Sequence, residues 1–287
     1  MKALIAWAVC ILLVGLIAVG TVRVVSSVAS SKKRQFRQDG IEKLVSGDYT
    51  GAIEAFDTAL EKSGKKSDGF NSDVLGYRAE AEYKLRDYEA AVHTYGLLLE
   101  MKPDTAVYLY AQSMCYAHLG DTDNAIDRYH AGNAVQKEDK DEAGRQEALF
   151  AAGGACVDAG EYEKAMGLYQ DAIREGVKHG QVYNQMGLCQ MAEKDYQGAL
   201  DSFNQGYETF VTGHSLGSGA EPAQAAAALN ADARADMALL KELVYNRAVA
   251  YEYLSEYKKA LGLFEDYVSV FGPNEDAEHE IAFLKTR

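Results

Sequence analysis

The fold is decided by a short stretch of the sequence that reads Gly47-Asp48-Tyr49-Thr50-Gly51-Ala52-Ile53-Glu54-Ala55-Phe56. In it, a turn-forming pair is followed by an alanine and, four residues after that alanine, by an aromatic residue. This order of turn, alanine and aromatic residue occurs five more times along the chain. The five later copies carry the turns Arg86-Asp87, Gly120-Asp121, Gly160-Glu161, Lys194-Asp195 and Ser255-Glu256, the alanines Ala91, Ala125, Ala165, Ala199 and Ala260, and the aromatic residues Tyr95, Tyr129, Tyr169, Phe203 and Phe264. Repetition of this kind is the signature of a repeat architecture.

The spacing of the turns gives the length of the repeat. Counted from the acidic residue of each turn, successive copies are 39, 34, 40, 34 and 61 residues apart, so two steps equal 34 and the others exceed it by 5, 6 and 27. Polar or small-residue insertions account for the excess, and we expect them outside the repeat core. The longest insertion contains Pro222 and an alanine-rich run, which predicts an extra helix. The preceding stretch, Val211 to Gly219, is rich in Gly and Ser and predicts a mobile loop.

The small residues predict how the helices pack. Each repeat places a small residue on its first helix, such as Ala79, Gly153, Gly187 or Ala248, where a second helix can approach closely. The alanine of the second helix does the same in return, and the aromatic residue four positions later fills the space between adjacent pairs. One helix pair cannot bury its apolar face alone, so stacked pairs supply the core.

A 34-residue period with this turn resembles the tetratricopeptide repeat family, over about residues 33–287. Leu109, Ser113 and Tyr116 follow the first-helix pattern of that family, whereas Lys43 departs from it and Leu44 takes the apolar place. The resemblance implies an all-α fold, a right-handed superhelix of helix–turn–helix units with a concave face. We place six repeats at about 33–62, 72–105, 106–135, 146–179, 180–207 and 241–272. The insertion then occupies 208–240, and a capping helix that begins after Asn274 covers 274–287.

The resemblance also implies where a partner binds. In the family, partners usually lie in a groove lined by the first helices. The groove-facing places here hold Tyr77, Tyr83, Tyr110, Met114, Phe150, Leu188, Met191, Tyr245 and Tyr253, with Glu80, Glu242 and Glu252 among them. An aromatic, mildly acidic groove suits a basic or apolar peptide. The alternative for each residue is packing against a neighbouring helix. The Lys and Asn pairing that some members use to hold a carboxyl terminus is absent from the matching places of the first three repeats, which argues against a chaperone-tail adaptor.

The amino-terminal segment predicts a membrane anchor. Ala3 to Val22 are uncharged and mostly apolar, and twenty helical residues span about 30 Å of hydrocarbon. We therefore expect a transmembrane helix at 1–23 and a basic linker at 24–33, before the repeats at 34–287. A cleaved signal peptide ending near Gly20 is the alternative. Five positive charges follow the helix and one precedes it, which favours a cytoplasmic body. Export of the body is the other possibility.

The charge of the body excludes one class of partner. The chain carries −14, but residues 1–37 hold six Lys and Arg and no acid, so the remainder carries 23 − 43 = −20. This charge repels phosphate backbones, so we expect no nucleic-acid binding. Three body cysteines, Cys115, Cys156 and Cys189, cannot pair completely, which excludes a disulfide scaffold and agrees with a reducing compartment.

The sequence offers one motif typical of catalysis and no convincing metal site. Gly213-His214-Ser215-Leu216-Gly217 matches the nucleophile elbow of α/β-hydrolases, but it lies between helical repeats with no strand pattern before it. A hydrolase using Ser215 is therefore a remote alternative to a protein that is not an enzyme. No histidine pair has i, i+4 spacing, and Asp121-Thr122-Asp123-Asn124 lacks the glycine and distal glutamate of a calcium loop. We expect no metal and no cofactor.

Together these patterns predict a membrane-tethered protein–protein interaction scaffold that binds a peptide or protein in its groove. The alternative is a structural or assembly subunit of a membrane or envelope complex, which makes its contacts through the 208–240 insertion and the convex face.

Overall fold

The computed structural model describes residues 31–63, 68–136, 144–229 and 233–287, and within these ranges it contains helices and no strand. The described part of α1 covers residues 31–46. The other helices are α2 (Tyr49–Ser63), α3 (Asp68–Leu85), α4 (Tyr88–Met101), α5 (Ala106–His118), α6 (Thr122–Val135), α7 (Arg145–Asp158), α8 (Tyr162–Arg174), α9 (Gly180–Ala192), α10 (Tyr196–Gly213), α11 (Pro222–Ala228), α12 (Arg234–Tyr253), α13 (Tyr257–Phe271) and α14 (Glu275–Leu284). The predicted all-helical repeat fold is confirmed in these ranges.

The predicted membrane helix at 1–23 and most of the basic linker lie outside the described residues. None of the helices in the described ranges combines the length and the apolar character needed to cross a membrane.

The helices form two compact units, one up to Ala151 and one from Ala152 onward. In the first unit, α2 packs on α3, α3 on α4, α4 on α5 and α5 on α6. In the second unit, α8 packs on α9, α9 on α10, α10 on α12, α12 on α13 and α13 on α14. Each unit is thus a stack of helix pairs. The right-handed superhelix stays a prediction.

Each predicted turn ends one helix with a left-handed residue. Gly47, Arg86, Gly120, Gly160, Lys194 and Ser255 all have φ between 61 and 86°. At the first turn, the Gly47 N–H donates to Leu44 O at 3.2 Å and the Asp48 N–H donates to Lys43 O at 2.9 Å. The other five turns repeat this pair of bonds, which is the Schellman motif. The motif stops each first helix at the residue that the sequence pattern marks.

The acidic residue of the turn then starts the second helix. The carboxylates of Asp48, Asp87, Asp121 and Asp195 each accept the backbone N–H three residues later, at 3.0 to 3.2 Å. These bonds satisfy N–H groups that have no partner within the helix. Asp121 also accepts from the Asn124 side chain at 2.7 Å, so the stretch that resembles a calcium loop is a helix cap.

The small residues of the first helices admit the aromatic residues of the second. A methyl group added at Gly187 would lie 2.4 Å from Phe203 Cε1, and one added at Gly153 would lie 2.1 Å from the Tyr169 hydroxyl oxygen. Phe203 and Tyr169 are both buried. The predicted packing of small residues against aromatic residues is confirmed at these pairs.

The insertion between the last two repeats folds onto the second unit. It contains the predicted extra helix, α11, which begins at Pro222. Three hydrogen bonds connect the loop before α11 to helix α10. The Tyr207 hydroxyl donates to Ala220 O at 2.7 Å. The Glu208 carboxylate accepts from the Ser218 hydroxyl at 2.8 Å and from the Gly219 N–H at 3.1 Å. The predicted loop is therefore corrected at its start, because Val211, Thr212 and Gly213 belong to α10, and its mobility stays a prediction. The Glu208 carboxylate thus binds two residues, Ser218 and Gly219, that the sequence pattern assigns to the loop.

The last helix, α14, has the predicted cap. The Asn274 side chain accepts the Ala277 N–H at 2.9 Å, and Glu275 and Asp276 lie in the first turn of the helix. Ala277 and Leu284 are buried in a cluster with Phe264 of α13. The helix therefore covers the apolar face of the last repeat.

Candidate functional site

One predicted groove residue belongs to the core. Tyr110 is 0% exposed, and its hydroxyl donates to Asn133 Oδ1 at 2.7 Å. The ring occupies the space beside Gly132 of α6, where an added methyl group would lie 2.4 Å from it. The assignment of Tyr110 to an accessible groove is therefore corrected. Its ring is buried because Gly132 has no side chain and leaves room for it in the core.

Tyr83 packs against a turn of the next repeat. Its hydroxyl lies 3.0 Å from His118 Nε2, and its ring meets the Tyr88 ring edge to face at 5.6 Å. Burial raises the pKa of Tyr83 and lowers the pKa of His118. This residue thus joins the ends of α3 and α5.

Four other predicted groove residues have mixed exposure. Leu188 is 39% exposed. Met114 and Phe150 are half-buried, and Met191 packs against the core cluster that contains Phe203. Leu188 is therefore accessible to a partner.

Tyr77 lines an open pocket in the first unit, which we call the α3 pocket. The pocket measures about 360 Å³. Its lining is Gly69, Ser72, Asp73, Gly76, Tyr77 and Glu80 on one face of α3, with Lys102 and Tyr108 across from them. The Tyr77 ring stacks on Phe56 at 6.0 Å, and the guanidinium of Arg37 lies 5.2 Å from the Tyr77 ring centre. Arg37 also ion-pairs with Asp73 of the lining, and Lys102 is itself a lining residue, so cations of the chain already lie at this pocket.

Tyr245 and Tyr253 line an open pocket in the second unit, which we call the α12 pocket. It measures about 430 Å³ and is formed by α12, the start of α13 and α14. Its lining is Tyr245, Val249, Glu252, Tyr253, Tyr257, Glu280 and Phe283. Tyr245 is fixed by edge contacts with Phe264 at 5.4 Å and Tyr267 at 5.6 Å. Tyr253 is 58% exposed and stacks on Tyr196 at 4.6 Å.

Two carboxyl groups face each other in the α12 pocket. Burial raises the pKa of Glu252, and the neighbouring Glu280 raises it further through its charge and through a hydrogen bond between the two carboxyls. Burial, with the charges of Asp276 and Glu280, also raises the pKa of Tyr245. The pocket is therefore aromatic in its walls and electronegative at one end.

The predicted groove residue Glu242 has a structural role in this structure. Its carboxylate accepts from Asn184 Nδ2 at 2.9 Å, and Asn246 Nδ2 donates to Asn184 Oδ1 at 2.9 Å. Asn184 is fully buried. This polar network ties α9 to α12 and satisfies the buried amide.

The sequence pattern did not identify several residues of the two pockets. Tyr108 of α5 and Lys102 at the end of α4 complete the α3 pocket. Tyr257, Glu280 and Phe283 complete the α12 pocket. Glu280 and Phe283 are three residues apart on α14, so they share a face of that helix. That spacing is a signal in the sequence, whereas the role that we predict for this helix from the sequence is that of a cap alone.

Ser215 does not lie on a nucleophile elbow. It follows the helix α10 and closes it with a left-handed conformation, φ 61°, whereas the elbow requires a strand before the serine. The neighbouring His214 donates from Nδ1 to Phe210 O at 2.9 Å, and its Nε2 faces Asp236 at 3.4 Å. Both imidazole nitrogens therefore face groups other than the Ser215 hydroxyl.

The described residues contain no group of three or more His, Cys, Asp or Glu side chains that could hold a metal ion. Cys115, Cys156 and Cys189 are buried as predicted. Burial raises the pKa of the Cys115 thiol to about 12 and that of Cys189 to about 11. Such thiols pack as small apolar groups.

Comparison with known proteins agrees with the repeat fold. Residues 40–92 and 77–132 match the family model described as tetratricopeptide repeat. No curated protein matches the chain. Among solved structures, the chain is similar to the MamA protein, with 19% identity over 63% of this chain and 92% of that chain and a TM-score of 0.50. It is also similar to a tetratricopeptide repeat protein from Parabacteroides merdae ATCC 43184, with 17% identity over 89% of this chain and 99% of that chain and a TM-score of 0.50. At these identities the similarity concerns the fold, and the match to the tetratricopeptide repeat model covers residues 40–132.

Proposed function

We propose that this protein is a membrane-tethered interaction scaffold that binds a peptide or protein partner on the exposed faces of its first helices. The observation that carries the proposal is that α3 and α12, first helices of two repeats, each line an open pocket with aromatic and acidic side chains. Three predicted groove residues, Tyr77, Tyr245 and Tyr253, lie in these pockets. Aromatic rings give a large contact area at low entropic cost, and surrounding carboxylates favour a basic partner.

The tether is the part of the proposal that rests on sequence. Ala3 to Val22 has the length and apolar character of a membrane helix, and the basic residues after it favour a cytoplasmic body. A single added thiol tests the side. The test variant carries Cys10→Ser and Ser218→Cys, because Ser218 is exposed while the three native body thiols are buried. An impermeant maleimide should label this variant only after lysis, and labelling in intact cells would place the body outside.

The rival role for the 208–240 insertion has less support. Leu216, Ala226 and Leu229 pack against the core cluster of the second unit, so the apolar residues of the insertion are used within the unit. Val211, Ala225 and Leu239 are themselves core residues. Deleting the insertion would therefore damage the fold, and its contacts with a partner are better tested by a surface change such as Ala227→Lys, at an exposed position of α11.

Co-purification from native membranes tests the binding face. The test variants are Glu80→Lys in the α3 pocket and Tyr253→Ser in the α12 pocket, both at exposed positions. The matched control is Asp127→Lys, an exposed charge reversal on the second helix α6. We expect a partner of the wild-type protein to be lost with the first two variants and kept with the control. Loss with Ala227→Lys alone would favour the insertion as the contact.

A further inference from the structure

The α12 pocket has the walls of a cation site. Three tyrosines and one phenylalanine surround it, and two of these rings are accessible: Tyr253 is 58% exposed and Phe283 is 37% exposed. Aromatic faces attract cations through the quadrupole of the ring. Large apolar side chains left at the surface together with convergent polar groups mark a place where a ligand binds.

The floor of the pocket carries negative charge without a cationic partner. Glu252 and Glu280 are adjacent. In the part of the chain that the structure describes, neither carboxylate forms an ion pair with a lysine or arginine; besides Glu252, Glu280 faces the exposed His279 imidazole, at 3.6 Å. Two half-buried carboxyl groups that lie side by side repel each other, so a cation placed between them would relieve that repulsion.

Two lysines of the surrounding helices pair with carboxylates outside the pocket, and Arg287 contacts a ring of the pocket rather than its carboxylates. Lys259 ion-pairs with Glu256 at 2.5 Å, and Lys285 pairs with Glu265 at 2.9 Å. The guanidinium of Arg287 lies 4.7 Å from the Phe283 ring centre, which shows that this ring accepts a cation. The α3 pocket differs, because Arg37 already neutralises its Asp73.

We infer that the α12 pocket binds the cationic side chain of a lysine or arginine on a bound peptide. This inference deepens the proposed function and rests on it. The aliphatic stem of the side chain would lie along Tyr245 and Tyr253, and its charged head would meet Glu252 and Glu280. The body of the chain, residues 38–287, carries −20 by the count given above, so a basic peptide is also attracted at long range.

Peptide titration of the full chain in detergent micelles tests the inference. The probe is the peptide acetyl-Gly-Gly-Lys-Gly-Gly-amide, observed by saturation-transfer NMR, which suits weak binding to a large particle. A peptide with norleucine in place of lysine has a similar stem and no charge. We expect saturation of the lysine Cε protons, competition by the matching arginine peptide, and no binding of the norleucine peptide.

Charge-neutral variants locate the site. We expect Glu252→Gln combined with Glu280→Gln to weaken lysine-peptide binding about tenfold or more, and Tyr253→Leu to weaken it about threefold. The matched control is Glu278→Gln, an exposed carboxylate of the same helix that does not line the pocket. It should change binding less than twofold, and circular dichroism melts verify that all variants are folded.

The outcomes separate the inference from the function on which it rests. Unchanged peptide binding in the double variant, or an equal loss in Glu278→Gln, would overturn the cation site. If the partner found by co-purification is lost with Glu80→Lys but kept with the double variant, the scaffold function stands and the cation site is rejected. Parallel loss of the partner and of the lysine peptide in the double variant would support both.

Discussion

Replacement of Gly187 by alanine is the sharpest test of how the repeats pack. The new methyl group would lie 2.4 Å from Phe203 Cε1, well inside the 3.4 to 4 Å of ordinary contact. Phe203 is 0% exposed and is packed with Ala199 and Leu200, so its ring has little room to move. Overpacking of this kind costs about 2 to 3 kcal/mol, and alanine returns about 1 kcal/mol through its better helix propensity. We therefore expect a net loss of about 1 to 2 kcal/mol.

Gly154 provides the matched control for this substitution. It lies in α7, where an added methyl group would meet nothing within 4 Å. Gly154→Ala should therefore stabilise the second unit by about 1 kcal/mol through helix propensity alone. Thermal unfolding followed by circular dichroism should show Gly187→Ala melting lower than wild type and Gly154→Ala melting higher, with about 4 °C for each kcal/mol.

A double-mutant cycle isolates the contact itself. Phe203→Leu removes the ring atoms that the new methyl group would meet, so it should cost less in the Gly187→Ala background than in wild type, by about 1 kcal/mol. If Gly187→Ala raised the melting temperature as Gly154→Ala does, the close approach of α9 and α10 would be refuted.

Three further predictions concern the turns, the caps and the thiols. Lys194 and Gly160 occupy equivalent turn positions, both with left-handed backbone. Lys194→Gly should therefore stabilise the protein and Gly160→Ala should destabilise it, each by about 0.5 to 1 kcal/mol in urea unfolding. Changes of the same sign in the free energy of unfolding would contradict the left-handed turn. Asp195→Ala removes the cap bond to α10 and should cost about 1 kcal/mol in the same assay, so an unchanged midpoint would mean that the cap adds nothing. Burial raises the pKa of Cys115 to about 12 and that of Cys189 to about 11. Both thiols should therefore stay protonated at pH 8 and react with Ellman's reagent only after unfolding. Fast reaction of the native Cys10→Ser protein would contradict their burial.

The fold was predictable because its signals are local and repeated. Each copy of the motif spans about ten residues, which include the turn residue, the acidic cap, the alanine and its aromatic partner. Every copy therefore predicts the same arrangement of two helices. The Schellman turns at Arg86 and Lys194 have no glycine, yet their place in the repeat identifies them. Repetition therefore compensates for weak individual signals.

The candidate site was only partly predictable because its geometry depends on packing across elements. The position of Tyr110 in its repeat gives the helix face, but Gly132 on another helix decides that the ring is buried. Glu280 and Phe283 join Tyr253 only through the docking of α14 on α13. The sequence pattern of one helix shows which residues share a face, but it does not show which neighbouring helix packs against that face.

The most direct test of the scaffold proposal is site-specific photo-crosslinking of the full chain in cells. A photoreactive phenylalanine analogue replaces Tyr77 or Tyr253 on the first helices and, as controls, the exposed residues His93 and Gln170 on the second helices α4 and α8. The account predicts adducts with the same partner from Tyr77 and Tyr253 and none from the controls. Adducts only from His93, Gln170 or a probe at the exposed Ala227 of α11 would contradict binding on the first helices.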